Sequence, residues 1–124
     1  MARTAVAILQ DIVDAAGAIR TYTRGGRGAF AADAMVRDAV IARLIQIGQA
    51  VKDVRAAGAK LDELWPEIPW QKIAGMRDRL AHRYWEIEAD LIWAVVNAEL
   101  PKVVAAVRQL SRAMREPKRR RTRK

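Results

Sequence analysis

No cysteine occurs anywhere in the 124 residues. That excludes a disulfide scaffold and a thiolate metal site, and it fits a reducing compartment such as the cytoplasm. Histidine is nearly missing as well, since His82 is the sole example. Cys and His of one chain therefore cannot assemble a soft metal cluster, which leaves only carboxylate-bound magnesium open. No stretch is apolar for long enough to span a membrane, and the N-terminus lacks the basic segment and apolar run of a signal peptide. A soluble, cytoplasmic protein with no membrane partner is the expectation. Alternating apolar and polar residues, the mark of a half-buried strand, are also missing, as are internal repeats. Glycine is sparse except in Gly25-Gly26-Arg27-Gly28. No strand pattern precedes that run and no Gly-Lys-Ser/Thr follows it, so it reads as a loop rather than a phosphate cradle.

What is present is helical periodicity. Ala5, Ile8, Ile12, Ala15, Ile19 and Tyr22 recur every three or four residues and predict a first helix from about Arg3 to Thr23. Asp33 stands where a carboxylate would accept the free amides of a second helix. That helix carries Val36, Val40, Leu44, Ile47, Val51 and Val54 in one stripe, widened by Ile41, Ile45 and Gly48. A stripe so wide belongs to a central helix, or to one that gives part of its surface to another subunit. Residues 58–69 read as a connector, with Trp65 and Trp70 as anchors. A third helix is predicted from Pro69 to about Arg83, with Ile73, Met76 and Leu80 facing the core. After a turn at residues 85–89, a last helix starts at Asp90 and runs through Val103, Leu110 and Met114. Pro101 should kink or break it. The fold expected is all-α, a mostly antiparallel bundle of four to five helices.

One domain is expected over residues 1–115, followed by a disordered basic tail, 116–124. The formal charge is +9, of which the tail supplies +5 through six cations and Glu116, leaving a body of +4. A modest excess of that kind is consistent with an RNA partner without requiring one. The tail serves equally as a solubilising run or as a non-specific phosphate contact.

The densest chemistry lies in Met76-Arg77-Asp78-Arg79-Leu80-Ala81-His82-Arg83-Tyr84. Histidine is the side chain suited to proton transfer near neutral pH, and arginine is permanently charged and shaped to grip phosphate. Together Arg77 and His82 suit metal-free chemistry on a phosphodiester. The same spacing also fits an ordinary helix end, with His82 and Tyr84 packed on the core and the arginines solvated. On an ideal helix Arg77 and His82 point about 140° apart. Asp78 and His82, four apart, share a face, either as an imidazole-orienting pair or as an ordinary surface pair.

The flanks add a resemblance. Pro66-Glu67-Ile68-Pro69-Trp70, Ile73-Ala74-Gly75-Met76-Arg77-Asp78 and His82-Arg83-Tyr84 resemble the core of HepT-type toxins, a branch of the HEPN superfamily of ribonucleases. Asp33 to Val40, Ile47-Gly48-Gln49-Ala50, Asp90-Leu91-Ile92-Trp93 and Leu100-Pro101 are similar to its other helices, so the likeness runs from about Ala7 to Met114. At Gln49 the family pattern often has Glu, so no catalytic role is assigned there. The resemblance implies a homodimer whose two motifs meet in one cleft, and an endoribonuclease that uses no metal and no cofactor. It implies that Arg77 and His82 are catalytic and that Asp78 supports them. It points to tRNA among RNA substrates. It further implies a partner, an MntA-like nucleotidyltransferase antitoxin, that silences the toxin by transferring AMP to Tyr84. The competing readings are a non-catalytic helical module that binds nucleotide or nucleic acid beside such a nucleotidyltransferase, and a plain dimeric scaffold.

Overall fold

The computed structural model describes residues 4–83 and 88–115, and among them every regular element is helical. Residues 85–87 of the turn expected at 85–89, Tyr84 and the basic tail lie outside the described residues, while Ala89 already opens a helix. Helix α1 (Ala5–Tyr22) starts where the Thr4 hydroxyl accepts the Ala7 amide at 3.1 Å. Its stripe of Leu9, Ile12 and Ile19 is wholly buried. Each such side chain contributes about 1.5–3 kcal/mol on leaving water.

The glycine run departs from expectation. Only residues 23–25 form a turn; Gly26 then opens a short helix, α2 (Gly26–Ala32), at a φ of 88° that suits glycine. Tertiary contacts override the weak helix propensity here. Phe30 is buried and its ring lies 5.3 Å from that of Trp93, while Arg27 pairs with Asp90 at 2.9 Å. Arg37 donates to the last carbonyls of α2, at Phe30 and Ala31, which are short of helical partners.

Helix α3 (Ala34–Ala56) starts as the sequence predicts, with the Asp33 carboxylate accepting the Met35 and Val36 amides at 2.9 and 3.3 Å. Its wide apolar stripe is explained within the chain. Helix α3 packs against α1 on one side and against α5 (Trp70–Arg83) on another. Between them the expected connector includes a helical turn, α4 (Leu61–Leu64), pinned by buried Leu61. Trp70 is buried and donates its indole N–H to the Trp65 carbonyl at 3.0 Å, which fixes the entry of α5.

The last rod comprises α6 (Ala89–Ala94), a π-helical segment (Val95–Glu99) and α7 (Leu100–Arg115). Pro101 does not end it. Proline removes an amide and crowds the carbonyl one turn back, and the wider π turn immediately before it takes up both effects. The α6 end of the rod packs on α2 and α7 packs on α1. Four long rods thus make the bundle, with α2 and α4 placed where the sequence reads as connector. No described helix is long and apolar enough to cross a membrane.

Two interior glycines should respond in opposite ways. A Cβ on Gly48 would fall 2.7 Å from the Arg77 Cβ and 2.9 Å from the Ile73 carbonyl oxygen, whereas one on Gly17 meets nothing within 4 Å. Gly48→Ala is expected to lose about 1–3 kcal/mol because α3 and α5 must part. Gly17→Ala is expected to gain about 0.5–1 kcal/mol from helix propensity. Urea unfolding of the two variants beside the parent chain checks the signs; a neutral Gly48→Ala would refute the close crossing.

Candidate active site

Helix α5 presents two faces. Trp70, Ile73, Ala74 and Leu80 are buried, and Met76 is partly so, while Gln71, Lys72, Gly75, Asp78, Arg79 and His82 are exposed. Arg77 falls on the boundary because Gly48 of α3 lets its backbone approach without a side chain between. Its guanidinium Nη1 donates to Asp78 Oδ1 at 2.8 Å. Its Nε is enclosed and finds no acceptor in the structure. A buried donor without a partner forgoes hydration and gains nothing in exchange, so it is a place where an acceptor from outside would be welcome.

Asp78 is held from two sides. Beyond Arg77, the Lys52 ammonium lies 3.8 Å from its Oδ2. The Arg77 hydrogen bond, then the Lys52 charge, hold the Asp78 carboxyl below its ordinary value of 3.8, with slight burial opposing and the Arg77 and His82 charges adding further. Asp78 is therefore an anion throughout the neutral range, and it loses its grip on Arg77 only on acidification below the usual carboxylate range.

The sequence left open whether Asp78 orients the imidazole of His82. Among the described residues its carboxylate is engaged by Arg77 and Lys52, and His82 acts on it only as a nearby charge. His82 itself is exposed near the end of α5, which stays helical through Arg83. The 140° separation from Arg77 is therefore not relaxed by an early helix end. Asp78 thus behaves as a support for Arg77. Tyr84 lies outside the described residues.

Arg77 also lines an open groove of about 870 Å³ between α1 and α3. Its polar walls are Asp11 and Asp14 of α1 with Arg43, Gln46, Gln49 and Asp53 of α3. Gln49, to which the sequence gave no role, donates its amide to Asp53 at 2.9 Å, and Gln10 does the same to Asp14. His82 does not line this groove. One chain therefore gathers Arg77, Asp78 and Lys52, with His82 one turn beyond Asp78 and outside this groove. Lys52 and the groove acids were missed because each depends on how α3 crosses its neighbours, which no local pattern encodes. No group of three His, Cys, Asp or Glu among the described residues could hold a metal ion.

The sequence profile described as Ribonuclease HepT-like matches residues 12–110. A Methanocaldococcus jannaschii protein named "Putative RNase MJ1380" is 31% identical over 102 residues, covering 82% of this chain and 91% of that protein. The "Probable ribonuclease HepT" of Thermococcus cleftensis is 34% identical over 96 residues, covering 77% and 84%. No solved structure gives a significant match. The profile spans α1 to α7 and includes Arg77, Asp78, His82 and the Gly48 crossing, and on that breadth of agreement the chain belongs to the HepT-like ribonuclease family.

Proposed function

We propose that this protein is the toxin of a toxin–antitoxin pair, a metal-independent endoribonuclease acting through Arg77 and His82. The observation that carries the reading is the state of Arg77. Its backbone is seated against Gly48 and its Nη1 is tethered by Asp78, yet its Nε–H lacks an acceptor. A phosphate oxygen is the natural acceptor for such a guanidinium. On the same helix Arg79 and His82 are exposed, so an RNA strand that reaches Arg77 can also meet them.

In this reading an imidazole accepts the proton of the ribose 2′-hydroxyl, and the 2′-oxygen attacks the adjacent phosphorus. Arg77 stabilises the charge that builds on the phosphorane oxygens. The 5′-oxygen then leaves with a proton from an imidazolium, and a 2′,3′-cyclic phosphate remains. The 2′-hydroxyl makes RNA, with tRNA the first candidate, the substrate and excludes DNA. Acid and base together call for two imidazoles, and each chain has one. A homodimer supplies the second, and two-fold symmetry brings both motifs into one cleft. Gly75, exposed on α5 with open space where a Cβ would stand, suits close approach of a second copy there.

Regulation is assigned to Tyr84. A phenol titrates far above neutral pH, so it is a poor acid or base, but two residues beyond His82 it is well placed for modification. AMP carried from ATP by a nucleotidyltransferase antitoxin would add a phosphodiester anion beside Arg77, with pyrophosphate leaving. That anion would occupy the arginine and block the strand.

Three outcomes are expected. Light scattering at micromolar concentration should give a dimer, and a clean monomer removes the composite site. Arg77→Ala and His82→Ala should each lower RNA cleavage about 10²–10⁴-fold. Asp78→Asn should cost less, and deletion of residues 117–124 should mainly weaken binding and its salt dependence. A His82→Ala protein that still cuts RNA would sink the assignment. After co-expression with a nucleotidyltransferase antitoxin encoded beside it, where one is found, intact mass should rise by AMP units in wild type and stay unchanged in Tyr84→Phe, which should also resist neutralisation.

A further inference from the structure

A second groove, of about 380 Å³, runs between α1 and the α6–α7 rod and shares no lining residue with the groove at Arg77. Its floor is apolar, from Val13 and Ala16 on α1 and Val96, Leu100, Pro101 and Val104 on the rod. Arg20 and Arg108 also line it, and both are exposed. No carboxylate lines it. Some surface cations are paired with carboxylates, as in Arg27–Asp90, Arg55–Asp62, Lys60–Glu63 and Lys52–Asp78, while others among the described residues, such as Lys72, Arg79 and Lys102, are not. Among the described residues neither Arg20 nor Arg108 has such a partner.

The arginines sit toward opposite ends. The rod begins beside α2, where Arg27 meets Asp90 and Phe30 meets Trp93, and α2 follows the C-terminal end of α1. It then runs back along α1, so Arg20, late in α1, falls toward the end where the rod begins, and Arg108, late in the rod, toward the other. Arg20 and Val13 are about 10 Å apart at the helical rise of 1.5 Å per residue. Gly17 lies between them. No close neighbour demands glycine there, and a helix interior disfavours it, but its missing side chain leaves the middle of the groove open. Asn97 donates its amide to the Trp93 carbonyl, which leaves its side-chain oxygen free to accept.

We propose that this groove is a second RNA subsite, holding one unpaired nucleotide of the substrate away from the cleavage site. It rests on the ribonuclease reading above. The apolar floor covers the base, Asn97 accepts from an exocyclic amine, and the two arginines take the phosphates on either side. A nucleotide within a strand has phosphate at both ends, which favours RNA over a free mononucleotide. A second copy is disfavoured, because two-fold contact would bring Arg20 and Arg108 close to their like-charged mates.

The test uses the full chain carrying His82→Ala, so that RNA binds without being cut, with fluorescein-labelled single-stranded RNA followed by anisotropy. Adding Arg20→Gln and Arg108→Gln should weaken binding about tenfold. The log–log salt slope should become shallower by about 1.4, about 0.7 for each of the two phosphates on a single strand. Gly17→Leu, which fills the groove, should weaken binding likewise while the melting temperature does not fall. With His82 intact, the same changes should raise KM and leave kcat unchanged. Parent-like affinity in both variants overturns the subsite while the ribonuclease reading stands. A parent that neither binds nor cuts RNA fails that reading and the subsite together. Competition by AMP as effective as by RNA, or unchanged RNA binding with lost capture of the nucleotidyltransferase, reassigns the groove and overturns the proposal.

Discussion

The crossing of α3 over α5 at Gly48 is the constraint on which the site depends. With the Arg77 Cβ and the Ile73 carbonyl less than 3 Å from where a Cβ would stand, the two helices meet backbone to backbone. That contact places Arg77 at the edge of the core instead of in open solvent. A long side chain that would otherwise sample many rotamers is thereby limited, and the Asp78 hydrogen bond limits it further. Lys52, brought over by the same crossing, adds a second cation to Asp78 and keeps it ionised. The arrangement loses free energy at one atom, the enclosed Nε, and that loss is located where an anion would relieve it.

The same helix carries His82 one turn beyond Asp78 and outside the Arg77 groove, and α5 remains helical through Arg83. In the proposed reading a symmetric partner brings a second arginine and a second imidazole to the cleft without altering either helix.

The long rod shows how a sequence that reads as a break can become continuous structure. Pro101 calls for a disruption, and the π turn at Val95–Glu99 meets that demand inside the helix. The widened turn also contributes Val96 and Asn97 to the α1-facing groove, so the accommodation of one residue shapes a surface. The glycine run behaves in a parallel way. Burial of Phe30 against Trp93 offsets the poor propensity of Gly26 and Gly28 and converts an expected loop into α2.

By itself the sequence determined the helical class, the start of α3, the buried stripe of α3 and the span of α5. These follow from periodicity, caps and anchors that act over one or two turns, as with Asp33 and Trp70. It also marked Arg77 and His82, since their residue types and spacing are local facts. Only the tertiary structure decided that Asp78 serves Arg77 rather than His82, because that choice depends on which helix lies alongside. It alone brought in Lys52, gave Gly48 its purpose, joined Asp11, Asp14 and Asp53 in one groove and brought Arg20 and Arg108 to line another. Such pairings join residues far apart in the chain, and their geometry is fixed by helix crossings that no run of neighbouring residues specifies.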